Sequence, residues 1–210
     1  MSFVNTLTAL AMLDKTKTGS HKAIIHTAAA SSLGRMLNRL FIQEEIPIIN
    51  VVRREEQVEI LKKEGAKHIL NSEPPNFEED LKKLAAELHA DYCFEAIGGE
   101  FTGKILKNMP KNSIIEVYGV LSQQPTLEHI DAADMLFNHK CVKGFLLPNW
   151  LDDKSLLGKL GVMRRLQKLL TKELKSQVAQ EYSLEQFKEA IEGYMAGMTK
   201  GKVLIKPWKS

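Results

Sequence analysis

Cysteine is almost absent: Cys93 and Cys141 are the only two in 210 residues. Each lies inside an apolar segment, which predicts two buried, reduced thiols rather than a disulfide. Neither has a partner at metal-ligand spacing. The six histidines (His21, His26, His68, His89, His129 and His139) form no H-x-x-x-H pattern, and no C-x-x-C is present, so no metal site is expected. Charge of one sign is lacking too: 29 basic residues against 26 acidic ones leave a formal charge of +3 spread along the chain. Without a basic stripe or an aromatic-interleaved run, nothing in the sequence calls for nucleic acid. No apolar run approaches the roughly 20 residues of a membrane span, and the N-terminus has no signal-peptide pattern. A cytoplasmic protein without a membrane partner is the expectation.

What is present is alternation. Short apolar, β-branched runs at residues 47–52, 68–71, 92–97 and 113–118 alternate with amphipathic helical stretches, and a similar run leads into the small-residue turn near residue 27. Strands that are apolar throughout are covered on both faces, so the pattern predicts an α/β fold: a doubly wound, mostly parallel sheet in a Rossmann-like three-layer α/β/α arrangement. A helix over 5–17 precedes it. The chain is accordingly divided into a linker helix (1–22) that packs on the domain and the main domain (23–210). Beyond residue 122 the alternation loosens: a polar-to-helical connection (123–138), a strand (141–147) stopped by Pro148, a long helical region (151–174) and an extended piece (177–182). Ser183 and Gln186 have capping-box spacing ahead of a helix through 195, and 202–206 reads as the last strand.

Ligands of such sheets bind at the carboxyl ends of the strands. The first of these ends reads Ala23-Ile-Ile-His-Thr-Ala-Ala-Ala-Ser-Ser-Leu-Gly34 and runs straight into a helix. Where a G-x-G-x-x-G fingerprint would fall stand Ala29, Ser31 and Gly34. Small side chains admit a phosphate to a helix N-terminus, and they equally let the helix pack close to the sheet; the turn alone leaves both readings open. At the end of the second strand an acidic residue would bind the adenosine ribose hydroxyls, whereas arginine pairs with a 2′-phosphate. Here Arg53 and Arg54 follow Val52, which favours NADP(H) over NAD(H). Gly98 after the fourth strand, and Tyr118 and Gly119 after the fifth, suit a ribose-nicotinamide half lying flat on the backbone. Glu95 and Glu116, inside strand runs, read as structural, with partners that the sequence does not identify.

In their order and spacing, the turn at residues 25–34, Val51-Val-Arg-Arg54, Phe94-Glu-Ala-Ile-Gly-Gly99, Val117-Tyr-Gly119, Lys143-Gly-Phe145 and Thr199-Lys-Gly-Lys-Val-Leu204 resemble the cofactor-binding domain of the medium-chain dehydrogenase/reductase superfamily. The likeness is strongest to its zinc-free quinone oxidoreductase and enoyl reductase branch. The resemblance implies an NADPH-binding domain of an oxidoreductase that transfers hydride to a quinone or an activated double bond, without the GroES-like catalytic half that precedes it in the family. It implies cofactor contacts from Thr8, Ser31, Ser32, Leu33, Gly34, Arg53, Arg54, Gly98, Tyr118 and Gly119, no metal, and a homodimer formed through the strand at 142–147. It assigns no catalytic residue to this chain. The competing reading is a non-catalytic Rossmann module that has kept the fold and lost turnover. A methyltransferase on a similar sheet fits less well, because it would call for an acidic ribose ligand where the arginines stand.

Overall fold

The computed structural model describes residues 3–170, 178–196 and 201–208. Six parallel strands form the sheet: β1 (Ile24–His26), β2 (Ile48–Val52), β3 (His68–Asn71), β4 (Tyr92–Glu95), β5 (Ile114–Val117) and β6 (Cys141–Gly144). Their spatial order is β3-β2-β1-β4-β5-β6, with His26 in register with both Asn50 and Phe94. Successive parallel strands need crossover helices, and the order reverses direction between β1 and β4. That reversal opens a crevice at the carboxyl ends of these two strands. Every residue of β1, β2 and β4 is buried, as continuous apolar runs require, while β3 and β6 form the edges.

Helices cover both faces. On one face α1 (Phe3–Thr18), α2 (Ser32–Gln43), α7 (Leu147–Asp152) and α8 (Leu156–Leu170) supply Leu7, Met12, Leu37, Phe41, Trp150 and Leu166 to a core under Ile24 and Phe94. On the other, α4 (Phe77–Leu88) and α5 (Glu100–Asn108) set Leu81, Ala85, Ile105 and Leu106 against Ile25, Ile49 and Ile115. Val58 and Leu61 of α3 (Glu55–Lys63) close over Ala29, Ala30 and Val52 beside the first turn. A βαβ unit, β7 (Val178–Tyr182), α9 (Phe187–Ala196) and β8 (Lys202–Ile205), forms a separate two-stranded parallel sheet.

α1 is no loose connector. Thr6 through Leu13 are all buried, and Asp14 accepts hydrogen bonds from Trp150 Nε1 (3.0 Å) and Lys154 Nζ (2.8 Å) of the α7 region. Lys15 reaches the sheet, pairing at 3.0 Å with the buried Glu116, which Lys143 also meets at 3.2 Å. These two lysines are the partners of Glu116 that the sequence left unnamed.

Three local expectations are corrected. The strand expected at 141–147 ends at Gly144, and Pro148 sits in the first turn of α7, where its missing N–H costs nothing. Cys93 is buried but Cys141 is exposed, because β6 is an edge strand with one flank open; both thiols are free. The helical region expected at 151–174 is broken between Asp152 and Leu156, and its residues 171–174 lie outside the described residues, as does Gln177 of the expected extended piece.

Behind α6 (Ala132–Phe137), Lys140 is buried with its ammonium donating to the α5 carbonyls of Leu106 (2.8 Å) and Lys107 (3.1 Å) and pairing with Asp134 at 3.2 Å. It satisfies carbonyls at the helix C-terminus, where the dipole favours a cation. Replacing Lys140 with Met leaves these acceptors unpaired and should lower unfolding free energy by about 2–4 kcal/mol. Urea denaturation measures this; a loss below about 0.5 kcal/mol would contradict the cap.

Candidate cofactor site

The carboxyl ends of β1, β4 and β5 converge at the crevice, and backbone hydrogen bonds knit them together. Thr27 N–H donates to Phe94, Ala29 N–H to Val51 and Tyr118 N–H to Glu95. After β1 the chain passes through Ala28 in a left-handed conformation (φ 51°), which is uncommon for alanine and returns the chain sharply toward α2. Ser31 is the N-cap of α2: its hydroxyl accepts from Gly34 N–H at 3.1 Å, and its own N–H donates to Ala28. The cap leaves the N–H groups of Ser32 and Leu33 without internal acceptors at the positive end of the helix. Gly34 cannot be another residue without movement, since an added Cβ would lie 2.3 Å from the Ala29 carbonyl oxygen. The one fingerprint glycine retained is thus the one that close packing of helix on turn requires.

At the end of β2, Arg53 and Arg54 are exposed ahead of α3. Gln57 Oε1 accepts from both of their N–H groups, at 3.0 and 3.1 Å, in a capping arrangement. Glu55 and Glu56 fill the first turn of α3, and Arg54 Nε lies 3.4 Å from Glu56. The two cations therefore do not stand alone at the helix N-terminus. Arg53 nonetheless has no ion-pair partner among the described residues.

The second half of the crevice is built on a residue read as merely structural. Glu95, wholly buried at the end of β4, accepts four hydrogen bonds: from Thr27 Oγ1 (3.2 Å) and Ile97 N–H (2.6 Å) on one oxygen, and from Gly98 N–H (2.9 Å) and Thr102 Oγ1 (2.9 Å) on the other. Thr27 Oγ1 in turn accepts from Ala96 N–H at 2.8 Å. Gly98 and Gly99 both have positive φ (78° and 62°), so the turn after β4 needs glycine. Gly119 packs against this turn, with a built Cβ 3.1 Å from the Ala96 carbonyl.

His26, one residue before Thr27, was not singled out by the sequence. Its Nε2 lies 2.8 Å from the Tyr118 hydroxyl with the two rings nearly parallel, while its buried Nδ1 has no partner among the described residues. Burial lowers the imidazole pKa from 6.5 to about 3 and raises that of the Tyr118 phenol, so both groups are neutral near pH 7. The last residue of β1, His26, thus ties the strand to the end of β5, and the next residue, Thr27, ties it to β4. A Glu or His within an apolar strand run is the available sequence signal, because a buried polar group must find partners.

The structure brings Ser31, Ser32, Leu33, Gly34, Gly98, Tyr118 and Gly119 to the strand ends on the crevice, with Arg53 and Arg54 at the neighbouring end of β2. Thr8 is buried on α1, which packs against the same face of the sheet as α2.

A sequence model of the family described as zinc-binding dehydrogenase matches residues 42–160, more than half of the chain. This chain belongs to the zinc-binding dehydrogenase family. Among curated relatives, prostaglandin reductase 1 of Oryctolagus cuniculus is 25% identical over 189 residues, covering 87% of this chain and 52% of its own length. Mitochondrial enoyl-[acyl-carrier-protein] reductase of Arabidopsis thaliana is 28% identical over 154 residues, covering 70% of this chain and 40% of its own length. A solved Mesorhizobium loti protein, assigned as an NADPH:quinone reductase, superposes with a TM-score of 0.85 at 32% identity, over 98% of this chain and 59% of that one. The chain spans about half the length of the curated relatives it matches.

The family's name invokes zinc, yet among the described residues no three His, Cys, Asp or Glu gather where they could hold a metal ion. These residues do not fit a zinc site. Nor is any helix among them long and apolar enough to cross a membrane.

The buried His26 makes this family member's stability depend on pH. Its folded pKa lies below the unfolded value of 6.5, so the unfolded chain binds the proton more readily. Stability from this group is full above pH 6.5 and falls with pH toward about 3. The limiting slope is about 1.4 kcal/mol per pH unit. Urea denaturation at pH 7 and pH 5 should show a loss of about 2 kcal/mol from this group in the wild type that His26→Gln lacks; equal losses would show that His26 is not held neutral by the fold.

Proposed function

We propose that this chain is the NADPH-binding part of a quinone-reductase-type oxidoreductase. The observation that carries the reading is the pairing of two free N–H groups at the start of α2, those of Ser32 and Leu33, with the uncompensated Arg53 at the end of β2. In this reading the N–H groups and the Ser32 hydroxyl receive the pyrophosphate, and Arg53, with Arg54 beside it, receives the 2′-phosphate. Ser31 acts mainly by capping the turn, and Gly34 by admitting the close approach. Gly98, Tyr118 and Gly119 carry the ribose-nicotinamide half, and Thr8 is the contact from α1. The name given to the Mesorhizobium loti protein supports NADPH as the cofactor and a quinone as the class of acceptor.

The bound cofactor would supply the hydride. The residues described here orient it: the helix N-terminus fixes its phosphates, the two glycine-bearing turns leave room for a flat ring system, and the His26–Tyr118 pair holds the β5 end in place. A second copy of the chain would pair at the exposed β6 edge, where Cys141 and Leu146 face outward.

Calorimetric titration separates the two arginines. Arg53→Ala should weaken NADPH binding by about tenfold or more and leave NADH unchanged. Arg54→Ala should cost less, because Arg54 already has Glu56. Equal losses for both cofactors would remove the 2′-phosphate assignment. Failure of the wild-type chain to bind either at millimolar concentration would overturn the proposal and leave the non-catalytic module.

A further inference from the structure

Two buried carboxylates lie in this sheet, and they are held in different ways. Glu116 has Lys15 and Lys143 as ion-pair partners. Glu95 has no cationic partner among the described residues; its four donors are two hydroxyls and two backbone N–H groups. Those donors come from three places: the end of β1, the turn after β4 and the first turns of α5. Carrying a carboxylate out of water on neutral donors alone is costly, and a simple tie between β1 and β4 would not need it, because Thr27 Oγ1 already accepts from Ala96 N–H. What the carboxylate adds is orientation of the Ile97 and Gly98 amides, and so of the whole glycine turn.

The segment after β5 depends on the same turn. Leu121 N–H donates to Ala96, Ser122 N–H to Ile97 and Glu128 N–H to Gly99, at 2.9, 2.8 and 3.2 Å. A Cβ on Gly98 would meet Val120 at 3.3 Å, and one on Gly99 would meet Gln124 at 2.1 Å, so turn and segment are in direct contact. All of this lies on the β4 and β5 side of the switch point. Arg53 lies on the other side, at the end of β2. A dinucleotide straddling the switch point has its two halves on different supports.

We propose that Glu95 is a positioning residue for the nicotinamide half of the cofactor, acting through the Gly98 turn and the segment that hangs on it, without touching the cofactor. This rests on the NADPH reading above. The amide of Glu95→Gln can replace only part of the acceptor set, so the turn loses its single conformation while β1 and β4 stay paired through Thr27. Thr102→Val removes one donor from α5 and keeps the side-chain volume.

The experiment compares NADPH with 2′,5′-ADP, which carries the 2′-phosphate and lacks the nicotinamide half, by calorimetry on the wild type, Glu95→Gln and Thr102→Val, with thermal melts run alongside. Both variants should weaken NADPH by about tenfold and change 2′,5′-ADP by less than about twofold. A purely structural role would weaken both ligands together. Equal weakening, no weakening, or a wild type that binds NADPH no more tightly than 2′,5′-ADP would overturn the inference. Should Glu95→Gln fail to fold, Thr102→Val decides by the same ratio. A wild type that binds neither ligand would instead refute the NADPH reading itself, taking the inference with it.

Discussion

Glu95, which no solvent reaches, has both of its oxygens satisfied from within, by donors from the end of β1, the β4 turn and α5. The β4 and β5 side of the crevice follows from this one requirement. Thr27 meets the carboxylate from the end of β1, where its own bonds to Phe94 and Ala96 already hold it beside β4. Gly98 and Gly99 have to accept positive φ so that two successive amides can face the carboxylate. Because the segment after β5 bonds to the carbonyls of that turn, the β5 side is set by the same group. His26 adds an independent tie on the opposite face of the sheet, joining β1 to Tyr118.

The two ends of the crevice are built differently. The β4 and β5 side is made of buried hydrogen bonds in a low-dielectric setting, where a satisfied network is rigid and a broken one is expensive. The β2 side consists of exposed arginines at the start of α3, whose attraction for an anion is screened by salt. Between them, the α2 N-terminus offers backbone donors that need no rearrangement. A preformed wall on one side and an adaptable charged clamp on the other suit a long ligand that is anchored by its phosphates and presents its far ring in one orientation.

Much of this was legible in the sequence because burial on both faces leaves an unmistakable record. β1, β2 and β4 are apolar runs, and the small residues from Ala28 to Gly34 mark the first turn. Edges were less legible: the apolar letters from Phe145 to Leu147 extend the β6 pattern, while the backbone leaves the sheet at Gly144 so that Pro148 can open α7. Cys141 has apolar neighbours in sequence and solvent in space for the same reason. Least legible were the polar constraints. Glu95 accepts from Thr27 and Thr102, His26 meets Tyr118, and Asn50 donates to Asn38 across the β2–α2 contact. Only the strand order 3-2-1-4-5-6 brings those partners together, and no local pattern encodes it.

These bonds assemble the crevice wall before any ligand arrives. Hydrogen exchange of the cofactor-free chain tests this at the amides of Ala96, Ile97 and Gly98, which donate to Thr27 Oγ1 and to the two Glu95 oxygens at 2.8, 2.6 and 2.9 Å. The account predicts that these three amides, although they lie beyond the last residue of β4, exchange as slowly as those of Cys93 and Phe94 within it. Exchange at the rate of an exposed loop would contradict it, showing that the wall forms only when a ligand binds.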